Sequence, residues 1–413
     1  MTKKRVVIIG GGAAGLMAAG QAAIAGAEVV LLEKMKRPGR KICISGKGRC
    51  NVTNSAPIEE FIEHFGKNGR FLRQAFSYFF SRELIHFFEN NGLKVTLERG
   101  GRYFPKSGKA PDILKTLLQW ISRLDVTIRD NCQVSSILLK NDTISGVATS
   151  QGIIHCNAVI LASGGASYPA TGSTGDGYRL TEPLGHTIVP IRPALVPLEV
   201  RGGVPSELAG LELRNIAVRL FIEGKKRRQL FGELHFLRYG VGGPTILTLS
   251  GDAVDALQAG KSVILAVDLK AALSEQKLDA RLIRDFEKRH KEDLAGVLRG
   301  LLPAALIPLC LEQTDLPPDR RAGEISKKER KKLLHWLKEL RFEISRHRPL
   351  KEAIVTAGGV SLKEVDPRTM ESKIISGLYL AGEVLDLNGN TGGYNLQAAF
   401  STGWLAGRNA GSS

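Results

Sequence analysis

Cysteine is scarce, at five residues in a chain of 413. That excludes a disulfide scaffold and fits a reducing compartment. Histidine is scarce too, at eight. No His/Cys pair falls at ligand spacing, so no metal site is expected. No Ser-His-Asp order stands out, no segment repeats and no stretch is of low complexity. One long apolar run exists, Val6 to Leu32, and it holds Gln21, Glu28 and six glycines. A membrane helix needs about 20 apolar residues with few interruptions. Neither a span nor an export signal is therefore expected, and the expected location is cytoplasmic. Acidic residues are outnumbered, 41 against 58 basic, which gives a net charge of +17. A basic surface attracts polyanions, phosphorylated cofactors or anionic lipid. Plain solubility with bound counterions is the alternative.

What is present reads as globular: 43% hydrophobic and 24% charged residues, with length for two to three domains. Val6-Val7-Ile8-Ile9 is a β-branched run of the kind found in buried parallel strands. A glycine turn, an Ala-rich helix from Leu16 to Ala25 and a second strand, Glu28 to Glu33, complete a βαβ unit. A basic, glycine-rich loop is expected from Lys34 to Asn54. Helices are expected over Arg70–Asn91 and Pro111–Leu124. A β-meander follows from Val126, with turns at Asn141-Asp142 and Gln151-Gly152, and it feeds the strand Ala158–Ala162. Prolines at 190, 193, 197 and 205 mark a domain boundary. Short strands are expected over 195–270 and helices over 279–349.

Gly10-x-Gly12-x-x-Gly15 sits between strand and helix. Gly10 permits the tight turn, Gly12 lets the backbone approach a pyrophosphate, and Gly15 lets helix and strand pack closely. The anion would rest on the helix N-terminus, at the amides of Ala13 and Ala14. Glu33, ending the second strand, suits ribose hydroxyls. The long polar loop after it is suited to wrapping an isoalloxazine ring. Late in the chain a strand ends on Gly382-Glu383, followed by Gly392-Gly393-Tyr394-Asn395-Leu396-Gln397. That order fits FAD, with the last helix pointing its N-terminus at the flavin pyrimidine. No second strand-GxGxxG-helix exists, so NAD(P)H would bind only transiently.

Three strings carry a family resemblance. Gly39 to Asn54 reads G-R-K-x-x-x-S-G-x-G-R-C-N-x-T-N, and Gly101 to Ala110 reads G-R-x-F-P-x-S-x-K-A. From Leu378 the chain reads L-x-x-A-G-E-x-L-D-x-x-G-x-x-G-G-Y-N-L-Q. Over essentially its whole length the chain resembles the BaiN/RdsA-type flavoproteins, long called NAD(FAD)-utilising dehydrogenases. The resemblance implies FAD-dependent reduction of activated C=C bonds, amine oxidation, or uridine reduction in ribosomal RNA. The fingerprint and the resemblance together imply cofactor contacts at Lys34, Arg40, Lys41, Ser45, Gly46, Arg49, Cys50 and Asn51. They extend these to Val134, to Ala162-Ser163-Gly164-Gly165 and to Asp176. Cys50 is the candidate proton donor, since a thiol can donate at neutral pH; a packed thiol beside FAD is the alternative. A Cys43–Cys50 redox disulfide is a weaker reading. The family string G-E-x-L-F-T-H-x-G-x-S-G-P is altered here: Leu237 and Arg238 replace Thr and His, and Gly242 replaces Ser. Arg238 keeps a positive charge but cannot act as acid or base at neutral pH.

Basic runs recur at Arg99–Lys109, at Lys225-Lys226-Arg227-Arg228 (expected in a hairpin turn) and at Lys327–Lys332, with Arg346 and Arg348 after it. Together they suit a phosphate backbone. The expected fold is α/β: a Rossmann-like FAD domain split in sequence, over 1–190 and 350–413. An inserted β-rich domain (191–275) and a helical subdomain (276–349) would roof the flavin. RNA uridine is the preferred substrate, with a small-molecule flavin oxidoreductase as alternative. A non-catalytic flavin-binding sensor or scaffold is a third reading.

Overall fold

The computed structural model describes residues 3–412. It divides the chain into two compact units: the chain up to Ala194 together with that from Leu350 on, and Leu195–Pro349. No helix among the described residues is long and apolar enough to cross a membrane.

The first unit opens with β1 (Arg5–Ile9), α1 (Ala13–Ile24) and β2 (Glu28–Leu32). The β-branched residues of β1 and β2 are buried, as both faces of a parallel sheet require. The expected loop from Lys34 to Asn54 contains a helix, α2 (Arg40–Gly48). Gly39, in the left-handed region at φ 72°, starts it, and Ser45, Gly46 and Lys47 leave helical geometry near its end. Next come β3 (Thr53–Asn54), α3 (Ile58–Glu63), α4 (Arg73–Tyr78) and α5 (Ser81–Asn90). The single helix expected over Arg70–Asn91 is therefore broken. Phe79 and Phe80 are extended there. The break frees the Phe79 carbonyl to accept hydrogen bonds from Gln397 and Ser401. The unit continues with β4 (Val95–Glu98), β5 (Arg102–Pro105), α6 (Ala110–Ser122) and β6 (Thr127–Arg129). The meander is β7 (Val134–Lys140), β8 (Thr143–Thr149) and β9 (Gly152–His155), leading to β10 (Ala158–Leu161). Asn141 and Asp142 both have positive φ, the geometry that a tight hairpin demands. Then follow α7 (Asp176–Thr181) and β11 (Ile188–Ala194).

The second unit holds β12 (Leu198–Val200), β13 (Glu212–Ile222), β14 (Lys225–Leu237), β15 (Gly240–Gly242), α8 (Pro244–Gln258) and β16 (Val263–Asp268). Helices α9 (Glu275–Lys288), α10 (Leu294–Leu298), α11 (Ile307–Thr314) and α12 (Lys327–Lys338) precede β17 (Leu340–His347). Six of these strands close a barrel in the order β12-β15-β14-β13-β16-β17. Three details differ from the sequence reading. Helix α8 lies within the stretch expected to hold only strands and turns. Strand β17 lies within the stretch expected to be helical and completes the barrel. The basic run Lys225–Arg228 begins β14, while the turn is Glu223-Gly224, both at positive φ. One hydrophobic cluster joins the two expected parts: Val218, Leu220, Phe236 and Leu265 of the barrel pack in the same core as Leu282, Leu333 and Leu337 of the helices.

The chain returns to the first unit with β18 (Val355–Val360), β19 (Leu378–Leu380) and α13 (Tyr394–Ser412). The main sheet is parallel, in the order β19-β10-β1-β2-β6. Strands β2 and β6 lie on one side of β1 and β10 and β19 on the other, so a crevice opens at the C-terminal ends of β1 and β10. Helix α13 lies directly on α1. A Cβ at Gly403 would stand 2.3 Å from the Ala14 carbonyl oxygen, one at Gly407 2.3 Å from that of Ala18, and one at Gly411 2.7 Å from that of Ala22. The pairing advances four residues at a time along both helices, so they run parallel. With Gly403 level with Ala14, α13 extends eight residues beyond the start of α1, roughly 12 Å at the α-helical rise.

Replacing Gly407 with Val puts a branched side chain against backbone that cannot retreat. The expected loss of unfolding free energy is about 3 kcal/mol or more, read by urea denaturation. A variant with an unchanged midpoint contradicts the close packing.

Candidate dinucleotide and active site

The three glycines of the fingerprint serve three purposes. Gly10 has φ 105°, and a Cβ there would lie 2.6 Å from the Ala162 carbonyl oxygen. A Cβ at Gly15 would lie 1.9 Å from the Gly10 carbonyl oxygen. At Gly12 a Cβ would meet nothing within 4 Å. Gly12 caps α1, and the first bond within the helix runs from the Leu16 amide to the Gly12 carbonyl at 2.9 Å. The amides of Ala13, Ala14 and Gly15 therefore point out of the helix end toward open space, where an anion is favoured.

Glu33 is buried at the end of β2. Its carboxylate accepts from the Gly11 amide at 3.0 Å and from the Met35 amide at 2.8 Å. Burial pushes its pKa up while those two amides oppose the shift. Its first role is thus to brace the glycine loop. Each oxygen keeps a further lone pair, so a ribose hydroxyl can still be bound. Beyond it, Lys34 donates to Thr174 Oγ1 at 2.5 Å and to the Asp176 carboxylate, which Arg179 also pairs. Burial and Arg179 lower the pKa of Lys34. Val134 opens β7, buried, near the end of β2, where the Cys132 amide bonds the Glu33 carbonyl.

The loop after β10 is pressed against the rest of the unit. A Cβ at Gly165 would lie 2.4 Å from Thr356 Oγ1, and Gly164 has φ 73°. Lys41 Nζ lies 2.6 Å from both Ser167 Oγ and Glu383 Oε2. Ser167 Oγ and the Thr356 amide each donate to Glu383 Oε1 at 2.8 Å. Thr356 Oγ1 accepts from the Ala166 and Ser167 amides. Lys41 and Glu383, 342 positions apart, are both site residues expected from the sequence. Ser167 and Thr356 are additions of the structure: the sequence signal for Ser167 is its place just after Gly164-Gly165, and β18 carries none for Thr356.

At the start of α13 a Cβ on Gly393 would lie 2.5 Å from the Thr53 carbonyl oxygen, and Asn54 donates to the Gly392 carbonyl at 2.9 Å. The long loop and the helix N-terminus are thereby joined. The side chains expected on the cofactor are engaged elsewhere. Asn395 exchanges hydrogen bonds with the Gly389 main chain, Gln397 is buried and bonds Phe79 and Ser401, and Tyr394 stacks on His64 at 3.8 Å. Those bonds leave the main chain of Gly393 to Leu396, rather than the side chains, as the candidate contact for a ligand. Helix α13 points the positive end of its dipole at it.

Several residues expected on the cofactor are buried or have partners within the protein. Cys50 is 0% exposed within a hydrophobic cluster, and burial pushes its thiol up to about 12. Burial to this degree favours the packed thiol over the proton donor. Arg49 turns away to pair with Glu98 and covers the Phe104 ring at 4.3 Å. Ser45 Oγ bonds the Ile42 carbonyl, and Arg40 is exposed at the start of α2. Cys43 and Cys50 are both free thiols. No group of three metal-ligating side chains occurs among the described residues.

FAD fits this crevice. Gly12 leaves open space at the start of α1, as a phosphate there would require. Asn51 Oδ1, Thr53 Oγ1 and Ser163 Oγ are buried without a hydrogen-bond partner, a costly state for polar atoms that a bound ligand relieves. Two of them lie on the long loop and the third follows β10.

Comparison with known proteins agrees. Residues 4–409 match the family described as HI0933-like protein Rossmann domain. The chain is 34% identical over 98% of both chains to a 3-dehydro-bile acid delta(4,6)-reductase of Clostridium scindens. It is 30% identical to a ribosomal RNA dihydrouridine synthase of Escherichia coli, over 98% of this chain and 97% of that one. Its fold is similar to that of a 3-ketosteroid-delta4-(5alpha)-dehydrogenase from Rhodococcus jostii, with a TM-score of 0.52, 15% identity, and coverage of 100% of this chain and 97% of the other.

Because its Cβ faces open space, Gly12→Val is expected to leave the circular dichroism unchanged and to abolish the visible flavin absorbance of the purified protein. A yellow Gly12→Val variant contradicts the placement of the phosphates. Cys50 is expected to resist alkylation in the native protein at neutral pH, and Cys50→Ala to keep the wild-type pH profile.

Proposed function

Because the chain belongs to the HI0933-like Rossmann family of FAD-dependent oxidoreductases, we propose that it reduces an activated C=C bond, with a uridine in RNA as the preferred substrate. What supports the reaction class is the chemistry that its two named relatives share. One acts on a delta(4,6) 3-oxo compound and the other forms dihydrouridine, and both names describe saturation of a C=C bond conjugated to a carbonyl. What favours RNA is the charge of +17. The 34% relative supports a second reading, a small conjugated ketone. The non-catalytic sensor falls with membership of an enzyme family.

When bound, FAD supplies the hydride. The chain's own residues would hold and polarise it. The amides of Ala13, Ala14 and Gly15 would take the pyrophosphate, Glu33 the ribose, and the main chain of Gly393 to Leu396 the pyrimidine edge. The N-terminus of α13 favours negative charge at that edge. NAD(P)H is the proposed reductant, approaching without a dinucleotide fold of its own.

RNA from a strain lacking the gene is expected to lose dihydrouridine, and the gene to restore it, as read by mass spectrometry of digested RNA. An unchanged profile overturns the uridine substrate and directs the assay to conjugated 3-oxo steroids with NAD(P)H.

A further inference from the structure

We infer that one end and the adjoining outer face of the barrel in the second unit form a contact surface for single-stranded RNA, centred on the start of β14 and on Phe231. This inference takes the choice of RNA from the reading above, and the surface itself from the geometry below.

The strand register collects the cations. Ile222 pairs with Lys225 and with Val263, and Val263 pairs with Ile344. The start of β14, the start of β16 and the later part of β17 therefore share one end of the barrel. Lys225, Lys226, Arg227, Lys261 and Arg346 lie there, all exposed. The nearby carboxylate of Glu223 is held by the amide and hydroxyl of Ser262. Arg228 pairs with Asp252 at 3.5 Å, while Lys225 and Arg227 make no ion pair among the described residues.

The same strand carries an exposed aromatic. Phe231 is 64% exposed. Residues directly opposite across a sheet share a face, as do residues two apart along a strand. Phe231 stands opposite Ala217, and Gln229 stands opposite Arg219 in the next row. Arg341 lies in that same row through Ala266. The outer face thus runs from a ring, past Arg219 and Arg341, which Glu339 pairs with, to the cationic end, where the unpaired charge lies. Cations that track a backbone, joined to a ring on which bases stack, are what sequence-tolerant binding of single strands requires.

A protective role for the charges is the alternative. From Lys225 to Leu234, β14 pairs with β13 alone, since β15 meets only His235 to Leu237. Edge strands carry lysines to block pairing with other chains. A largely exposed phenylalanine on that very edge works against such protection. Charge with a stacking ring favours a polyanion that carries bases over one that does not.

The test uses the FAD-loaded full chain and a fluorescent single-stranded RNA oligonucleotide, titrated at several salt concentrations. K225E/R227E is expected to bind at least tenfold more weakly. The slope of log K against log salt should shrink by roughly 0.7 per lost phosphate contact. Phe231→Ala is expected to weaken binding about fivefold or more with little change in that slope. Bound FAD and circular dichroism should match wild type in both variants. Wild-type affinity in K225E/R227E, or absence of RNA binding by the wild type, overturns the inference. Tighter binding to phosphatidylglycerol vesicles than to RNA also overturns it and assigns the face to lipid. Charge-dependent RNA binding in a protein that forms no dihydrouridine keeps the surface and refutes the uridine reaction.

Discussion

The contact between the main chains of α1 and α13 is the constraint on which the nucleotide unit rests. Glycines at 403, 407 and 411 meet alanine carbonyls at 14, 18 and 22, at distances where no side chain fits. Such packing gains little from apolar area and much from dense contact. Gly382 joins the same block, since a Cβ there would lie 2.9 Å from that of Ala14. Two helix N-termini, the end of β19 and the glycine loop are therefore one rigid piece. The offset between the two helix starts, roughly 12 Å, gives the proposed phosphate and ring sites their separation.

Charge in the crevice follows from that arrangement. Two helix ends and Lys41 supply positive potential. Glu383 answers Lys41, and Ser167 and Thr356 satisfy the remaining oxygen of Glu383. A partly buried pair of this kind persists because its hydrogen bonds are complete. It ties α2, the loop after β10, β18 and the segment after β19 together, so the order of the cofactor loops depends on residues far apart in the chain.

Local demands were the legible ones. The turn at Gly10, the close approach at Gly15 and the open space at Gly12 each follow from a spacing between a strand and a helix. Asn141-Asp142 announced its hairpin in the same way. What escaped reading was set by tertiary contact. Thr356 matters only because β18 passes the Gly164-Gly165 loop. Gln397 lies in the most specific string of the chain, yet the break at Phe79 captures its side chain. Cys50 reads as a candidate proton donor in its string, and only the core shows the thiol packed away. Helix α8, which carries Thr245, Ile246 and Thr248 in its first turns, has local residues suited to strands, and only burial against the barrel decides its form.

The most direct measurement is a crystal structure of the yellow, FAD-loaded protein. Phosphate oxygens are expected within hydrogen-bond distance of the Ala13, Ala14 and Gly15 amides, with the pyrimidine edge of the ring at the main chain of Gly393 to Leu396. A pyrophosphate away from Gly12, or a ring away from the start of α13, would contradict the placement of the cofactor by the α1–α13 contact.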